Sequence, residues 1–112
     1  MVPVIVVTRL RLRDPALFDE FFASAVAATE QAQNSDGSLG ADVLAEANNT
    51  YWTRTAWRER GAMHTFVGSE PHLSIMGRLG EWCDEATFVD WEQDSADLPE
   101  GSSHLIRTAV RK

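Results

Sequence analysis

The stretch TYWTRTAWRE, residues 50–59, sets two tryptophans five positions apart. Side chains along a β-strand alternate faces with period 2, so an odd separation sends Trp52 and Trp57 to opposite sides of a sheet. One strand therefore carries a large aromatic ring on each face. Upstream, LGADVLAEA reads as a second strand, and Asn48-Asn49 between the two reads as the tight turn of a hairpin.

The remaining elements fall into place around that hairpin. From Val4 on, Val4, Val6, Thr8, Leu10 and Leu12 alternate with Ile5, Val7, Arg9, Arg11 and Arg13, which predicts an N-terminal strand. Asp14 and Pro15 then form a helix start signal. Phe18, Phe21, Phe22, Ala25, Ala28 (with Thr29) and Ala32 recur at helical spacing behind it. After the hairpin, RGAMHTFVG predicts a short helix with Met63, Phe66 and Val67 inward, stopped by Gly68. A second helix is expected from a Ser69 cap to Asp84, its stripe made of His72, Ile75, Met76, Leu79, Trp82 and Cys83. ATFVDWEQ is a fourth strand, and residues 94–112 are a polar loop and a tail that fits either a helix or an edge strand.

The order β-α-β-β-α-α-β predicts one α+β domain over residues 1–112. It is ferredoxin-like, with a four-stranded antiparallel sheet and helices on one face. The other face then carries Ile5, Val7, Trp52, Ala56 and some of Val43 or Leu44. That much uncovered apolar surface predicts a homodimer formed through the open sheet face.

Bulk properties exclude several function classes. The formal net charge of -7 and the pI near 4.8 oppose any non-specific grip on nucleic acid or anionic membrane. The series Arg9, Arg11, Arg13 is too short to offset it. The one cysteine, Cys83, allows no internal disulfide and reads as a small buried hydrophobe. The apolar N-terminal run is short and reads as a strand, not a signal peptide or membrane span, so a cytoplasmic location is the expectation. His64, His72 and His104 show no metal-binding spacing. No glycine-rich phosphate loop or G-x-S-x-G motif is present.

The segments TRTAWRERGAMHTFVGSEPH, LSIMGRLGEW and FVDWE resemble the dimeric α+β-barrel superfamily that includes the antibiotic-biosynthesis monooxygenases. The resemblance is nearest to members with a W-T-x-T-x-W strand, and it runs from about Val4 to Glu92. It implies a homodimer and a ligand pocket between the sheet and the helices of each subunit. Carried onto this chain, Thr8 and Leu10 would line that pocket from the first strand, and Tyr51, Thr53, Thr55 and Trp57 from the third. His72 and Met76 would face it from the long helix. Trp57 resembles the motif tryptophan of the haem-degrading branch, which also needs a first-strand asparagine and a helix histidine. Thr8 stands where that asparagine is expected, and the helix position falls nearer Met76 than His72. The resemblance therefore implies no bound cofactor, with haem disfavoured.

Three readings of function follow, the third being a structural or interaction domain whose working surface is the sheet–sheet dimer. In the first, the chain is a small monooxygenase-like enzyme acting on a hydrophobic or aromatic molecule. Trp57 orients the substrate, Thr53 and Thr55 bond its oxygens, and His72 handles a proton. In the second, the same pocket belongs to a non-catalytic binding protein for a hydrophobic metabolite or haem. A plainer assignment competes at each residue. His72 also fits a core-edge histidine bonded to backbone, Trp57 and Met76 fit core packing, and Asp90 fits a partner for the arginines of the sheet.

Overall fold

The computed structural model describes residues 2–98, so His104 and most of the predicted tail lie outside the described residues. Strand β1 (Val4–Leu12) is followed by a 3-10 turn at Pro15–Leu17 and helix α1 (Phe18–Gln33). The hairpin is β2 (Ser38–Glu46) and β3 (Thr50–Trp57). Helices α2 (Arg60–Val67) and α3 (His72–Trp82) lead into β4 (Cys83–Glu92). The sheet order is β2-β3-β1-β4, with every neighbouring pair antiparallel. This is the expected α+β ferredoxin-like arrangement.

Local chemistry explains most element ends. Asn48 and Asn49 take φ of 64° and 57°, a left-handed pair that asparagine tolerates and a two-strand turn requires. The Asp14 carboxylate accepts from the Ala16 N–H at 2.9 Å, so it caps the tight turn through Pro15 and α1 proper begins only at Phe18. The expected Ser69 cap is not made. The Ser69 hydroxyl donates back to the Thr65 carbonyl at 2.6 Å, at the end of α2. Gln31 of α1 caps in its place: its Oε1 accepts from the His72 N–H at 2.7 Å. At the other end α3 stops at Trp82, short of the expected Asp84, and Cys83 already belongs to β4. There Arg13 donates to the Gly80 and Cys83 carbonyls at 2.7 and 2.9 Å, satisfying groups the helix end leaves free.

The two tryptophans part as the odd spacing requires. On the helix side, Trp57 packs with Val4, Ala32, Ala41, Met63 and Phe66. A second helix-side cluster gathers Leu10, Leu12, Phe21, Ala25, Tyr51, Leu79, Trp82 and Cys83. Trp52 packs on the back of the sheet with Ile5, Val7 and Ala56, flanked by half-buried Leu44, Val89 and Trp91.

That back face corrects the expectation of an open surface. Ile5, Val7 and Ala56 are fully shielded, and Leu98 packs against them. Gln93 organises the turn that brings the chain there. Its N–H donates to the Pro3 carbonyl, and its Oε1 accepts from the Trp91 indole at 2.8 Å. Its Nε2 donates to the Ser95 and Asp97 carbonyls. Leu98 then ends 3.7 Å from the place a Cβ on Gly40 would take, at the β2 edge opposite β4.

Ion pairs follow register, which sequence spacing did not supply. Asp42 lies directly across from Arg54, so that pair forms, with Nε–Oδ1 at 2.6 Å, and Arg54 does not take the expected Asp90. Glu46 accepts from the Trp52 indole at 2.6 Å. Asp90 projects from the helix side of β4 and meets Arg60 of α2 at 2.8 Å, while Arg58 is exposed.

Two glycines make opposite predictions. Gly37 sits at φ 84°, and a Cβ there would lie 2.5 Å from the Ala62 Cβ. Gly37→Ala is expected to cost about 1–3 kcal/mol by overpacking and backbone strain. Gly77, inside α3, has open space around its missing Cβ. Gly77→Ala is expected to stabilise by about 0.5–1 kcal/mol. Denaturant unfolding of both variants checks the pair of signs.

Candidate ligand cavity

The two helix-side clusters do not meet. Between them the sheet carries small polar side chains, Thr8 and Thr53 directly opposite each other and Thr55 one step along β3. Above this floor α1 presents Ser24, Ala25 and Ala28, residues too short to fill the space. A cavity of about 190 Å³ results. Thr8, Leu10, Thr53, Thr55, Trp57, His72 and Met76 of the expected site all line it. Tyr51 does not. Its ring is taken up by the neighbouring cluster, 5.2 Å from Phe21 and 5.8 Å from Phe18 between centroids.

The hydrogen-bonding roles of the wall are largely set by the protein itself. Trp57 is fully buried, and its indole N–H donates to the Thr55 Oγ1 at 2.8 Å. That bond uses the Trp57 donor and leaves the Thr55 hydroxyl hydrogen free to donate elsewhere. Thr29 donates to the Ala25 carbonyl at 2.8 Å, so its remaining capacity is that of an acceptor.

His72 is held at the first position of α3 by the Gln31 bond to its backbone. The side-chain amide of Gln31 also donates to the Ser69 carbonyl at 3.3 Å. The His72 ring lies over Phe66, centroids 4.4 Å apart, with Nδ1 3.1 Å from the Val67 carbonyl. A carbonyl only accepts, so the hydrogen is on Nδ1 and Nε2 keeps its lone pair. Burial pushes the imidazole pKa down from its ordinary 6.5, partly offset by the Val67 bond.

The charge balance of the wall is simple. Asp42 borders the cavity, but its carboxylate is on the other face of the sheet, paired with Arg54. Among the described residues His72 is thus the titratable side chain on the lining without an ion-pair partner. Among the described residues no group of three or more His, Cys, Asp or Glu is placed to hold a metal ion, and no helix is long and apolar enough to cross a membrane. Burial raises the Cys83 thiol pKa, as a packed apolar residue requires.

Residue-by-residue reading missed Ser24, Phe88 and Gln31. Ser24 shares the small-residue face of α1 with Ala25 and Ala28, a pattern that signals empty space as well as close packing. Phe88 alternates with Asp90 and Glu92 on β4, so its face was legible while its neighbour, the cavity, was not. Gln31 left no local signal, because it acts 41 residues away in sequence.

No family model and no curated protein matches the chain. Solved structures do. The Rv0793 protein of Mycobacterium tuberculosis is 24% identical with a TM-score of 0.73, covering 89% of this chain and 99% of its own. A candidate antibiotic biosynthesis monooxygenase of Deinococcus radiodurans is 18% identical at TM-score 0.75, covering 88% and 99%. SnoaB, a cofactor-independent oxygenase from Streptomyces nogalater, is 17% identical at TM-score 0.71, covering 88% and 98%. At such identities the likeness is one of architecture. With its antiparallel β2-β3-β1-β4 sheet and helices on one face, the chain has the α+β ferredoxin-like fold of these solved structures, a cofactor-independent oxygenase and a candidate antibiotic biosynthesis monooxygenase among them.

Proposed function

We propose that the cavity binds a neutral, mainly apolar molecule bearing a phenolic or enolic oxygen, and that the protein is a cofactor-independent monooxygenase for it. The observation that carries this reading is the pairing of one committed donor, the Thr55 hydroxyl, with one committed acceptor, Nε2 of His72, on an otherwise apolar wall. Likeness in fold to a cofactor-independent oxygenase supports it.

In this mechanism Nε2 of His72 takes the phenolic proton. The Thr55 hydroxyl, oriented by the Trp57 indole, donates to the resulting oxyanion. Thr53 and Thr8 offer further hydroxyls to substrate oxygens, and Leu10 and Met76 supply apolar wall. The anion is electron-rich and reduces O₂. One oxygen atom enters the substrate at the ring C–H conjugated with the oxyanion, converting it to C=O, while the oxyanion carbon becomes the second C=O. The other oxygen leaves as water with that C–H hydrogen and the proton held on His72. Exclusion of bulk water strengthens the electrostatic contacts within the cavity.

The test is oxygen uptake with an anthrol-type substrate. Thr55→Val, which keeps shape and removes the hydroxyl, is expected to lower kcat by about a hundred- to a thousandfold, the range seen when one oxyanion donor is lost. Uptake unchanged in that variant would remove Thr55 from the mechanism.

The second reading, a binding protein for a hydrophobic metabolite, draws on the lack, among the described residues, of a second unpaired acid or base beside His72 on the lining. Saturable binding without oxygen uptake would favour it. We also propose that two copies associate through the back face, supported by the half-buried Leu44, Val89 and Trp91 there. Segment 93–98 would share that interface, and a sedimentation mass of one chain would overturn it.

A further inference from the structure

The cavity floor continues sideways along one row of the sheet. Thr53 of β3, Thr8 of β1 and Phe88 of β4 are successive partners in the ladders, so Phe88 lies one strand beyond Thr8, on the edge strand. Phe88 lines the cavity and yet is 50% exposed. Val67, at the C-terminal end of α2, also lines it and is 40% exposed. The Arg60–Asp90 ion pair lies beside them, linking the start of α2 to β4 two residues along from Phe88. Phe88 and Val67 thus give the mouth an apolar rim.

Size sharpens the point. An engineered apolar cavity of about 150 Å³ takes a benzene ring. The 190 Å³ here accommodates one ring and a few further carbons, and anything longer has to leave past Phe88 and Val67. We propose that Phe88 and Val67 form an outer apolar subsite for the overhanging part of the ligand, so that the preferred ligand is a hydroxyl-bearing ring with an extended apolar tail. This rests on the reading of the cavity as a site for a phenolic head, and it makes Phe88 a determinant of ligand length. Affinity from the tail then scales with the apolar area it covers at the mouth.

Calorimetric titration of the full chain with 4-ethylphenol and 4-hexylphenol tests it. In the parent, 4-hexylphenol is expected to bind at least about tenfold tighter than 4-ethylphenol. Phe88→Ala is expected to cut that ratio below about threefold, and Phe88→Leu to recover most of it. Thr55→Val should weaken both phenols alike. An equal ratio in parent and Phe88→Ala overturns the subsite. So does a change in sedimentation mass on Phe88→Ala, which would make Phe88 an interface residue. If Thr55→Val changes neither affinity while Phe88→Ala still collapses the ratio, the subsite stands and the phenolic-head reading fails. If neither phenol binds the parent, both fall.

Discussion

Trp57→Ala is expected to lower the unfolding free energy by about 3–5 kcal/mol, the range for emptying a buried aromatic site. The indole is fully buried, its ring 5.1 Å from that of Phe66, and it touches residues of β1, α1, β2 and α2 in one cluster. Collapse around the gap is limited, because the hole would merge with a cavity already present beside it. The variant should shift the denaturant midpoint without changing the slope. Trp57→Phe keeps a ring against Phe66 and is expected to cost about 1–2 kcal/mol, within the common range for single substitutions. A loss under about 1 kcal/mol in the alanine variant would contradict the packing described for this end of the core.

The second large effect is on turnover. Under the proposed mechanism His72→Gln is expected to reduce kcat/KM by about a hundred- to ten-thousand-fold, the usual contribution of a positioned general base. Glutamine preserves polarity and approximate size while removing the basic nitrogen. The pH profile separates this from a packing effect. Burial places the folded pKa of His72 below 6.5, so the base stays neutral, and the acid limb of kcat/KM is expected below that value. Stability follows the same shift. Between the folded pKa and 6.5 the unfolded chain binds the proton and the folded one does not, so stability rises with pH there. The His72 contribution is fully present above 6.5 and is lost as pH falls through that window. The glutamine variant should lack both its share of the acid loss and the corresponding limb. A profile identical to the parent's would show that His72 carries no proton in turnover.

Strand alternation puts Thr53, Thr55 and Trp57 on one face of β3 and Thr8 and Leu10 on one face of β1, and helical spacing puts His72 and Met76 on one side of α3. That these faces belong to one pocket was an expectation from the resemblance, not from periodicity. The errors fall where a residue's surroundings come from distant chain. Tyr51 is on the correct face, but Phe18 and Phe21 occupy the space above it. Ser69 is a reasonable cap by type, yet its hydroxyl reaches the Thr65 carbonyl and Gln31 takes the role. Arg54 chose Asp42 because register, including a shift between Ser38 and Gly40, sets that pair face to face.

The amino-acid order by itself determined the elements, their inward and outward faces and the separation of Trp52 from Trp57. These depend on backbone geometry repeated every two or 3.6 residues, a local property. Tertiary packing alone decided that the threonine row would underlie a hollow, that the hollow would open beside Phe88, and that the segment carrying Leu98 would cross the back of the sheet. Each of those depends on the volumes of side chains brought together from separate elements, and local periodicity does not encode such sums.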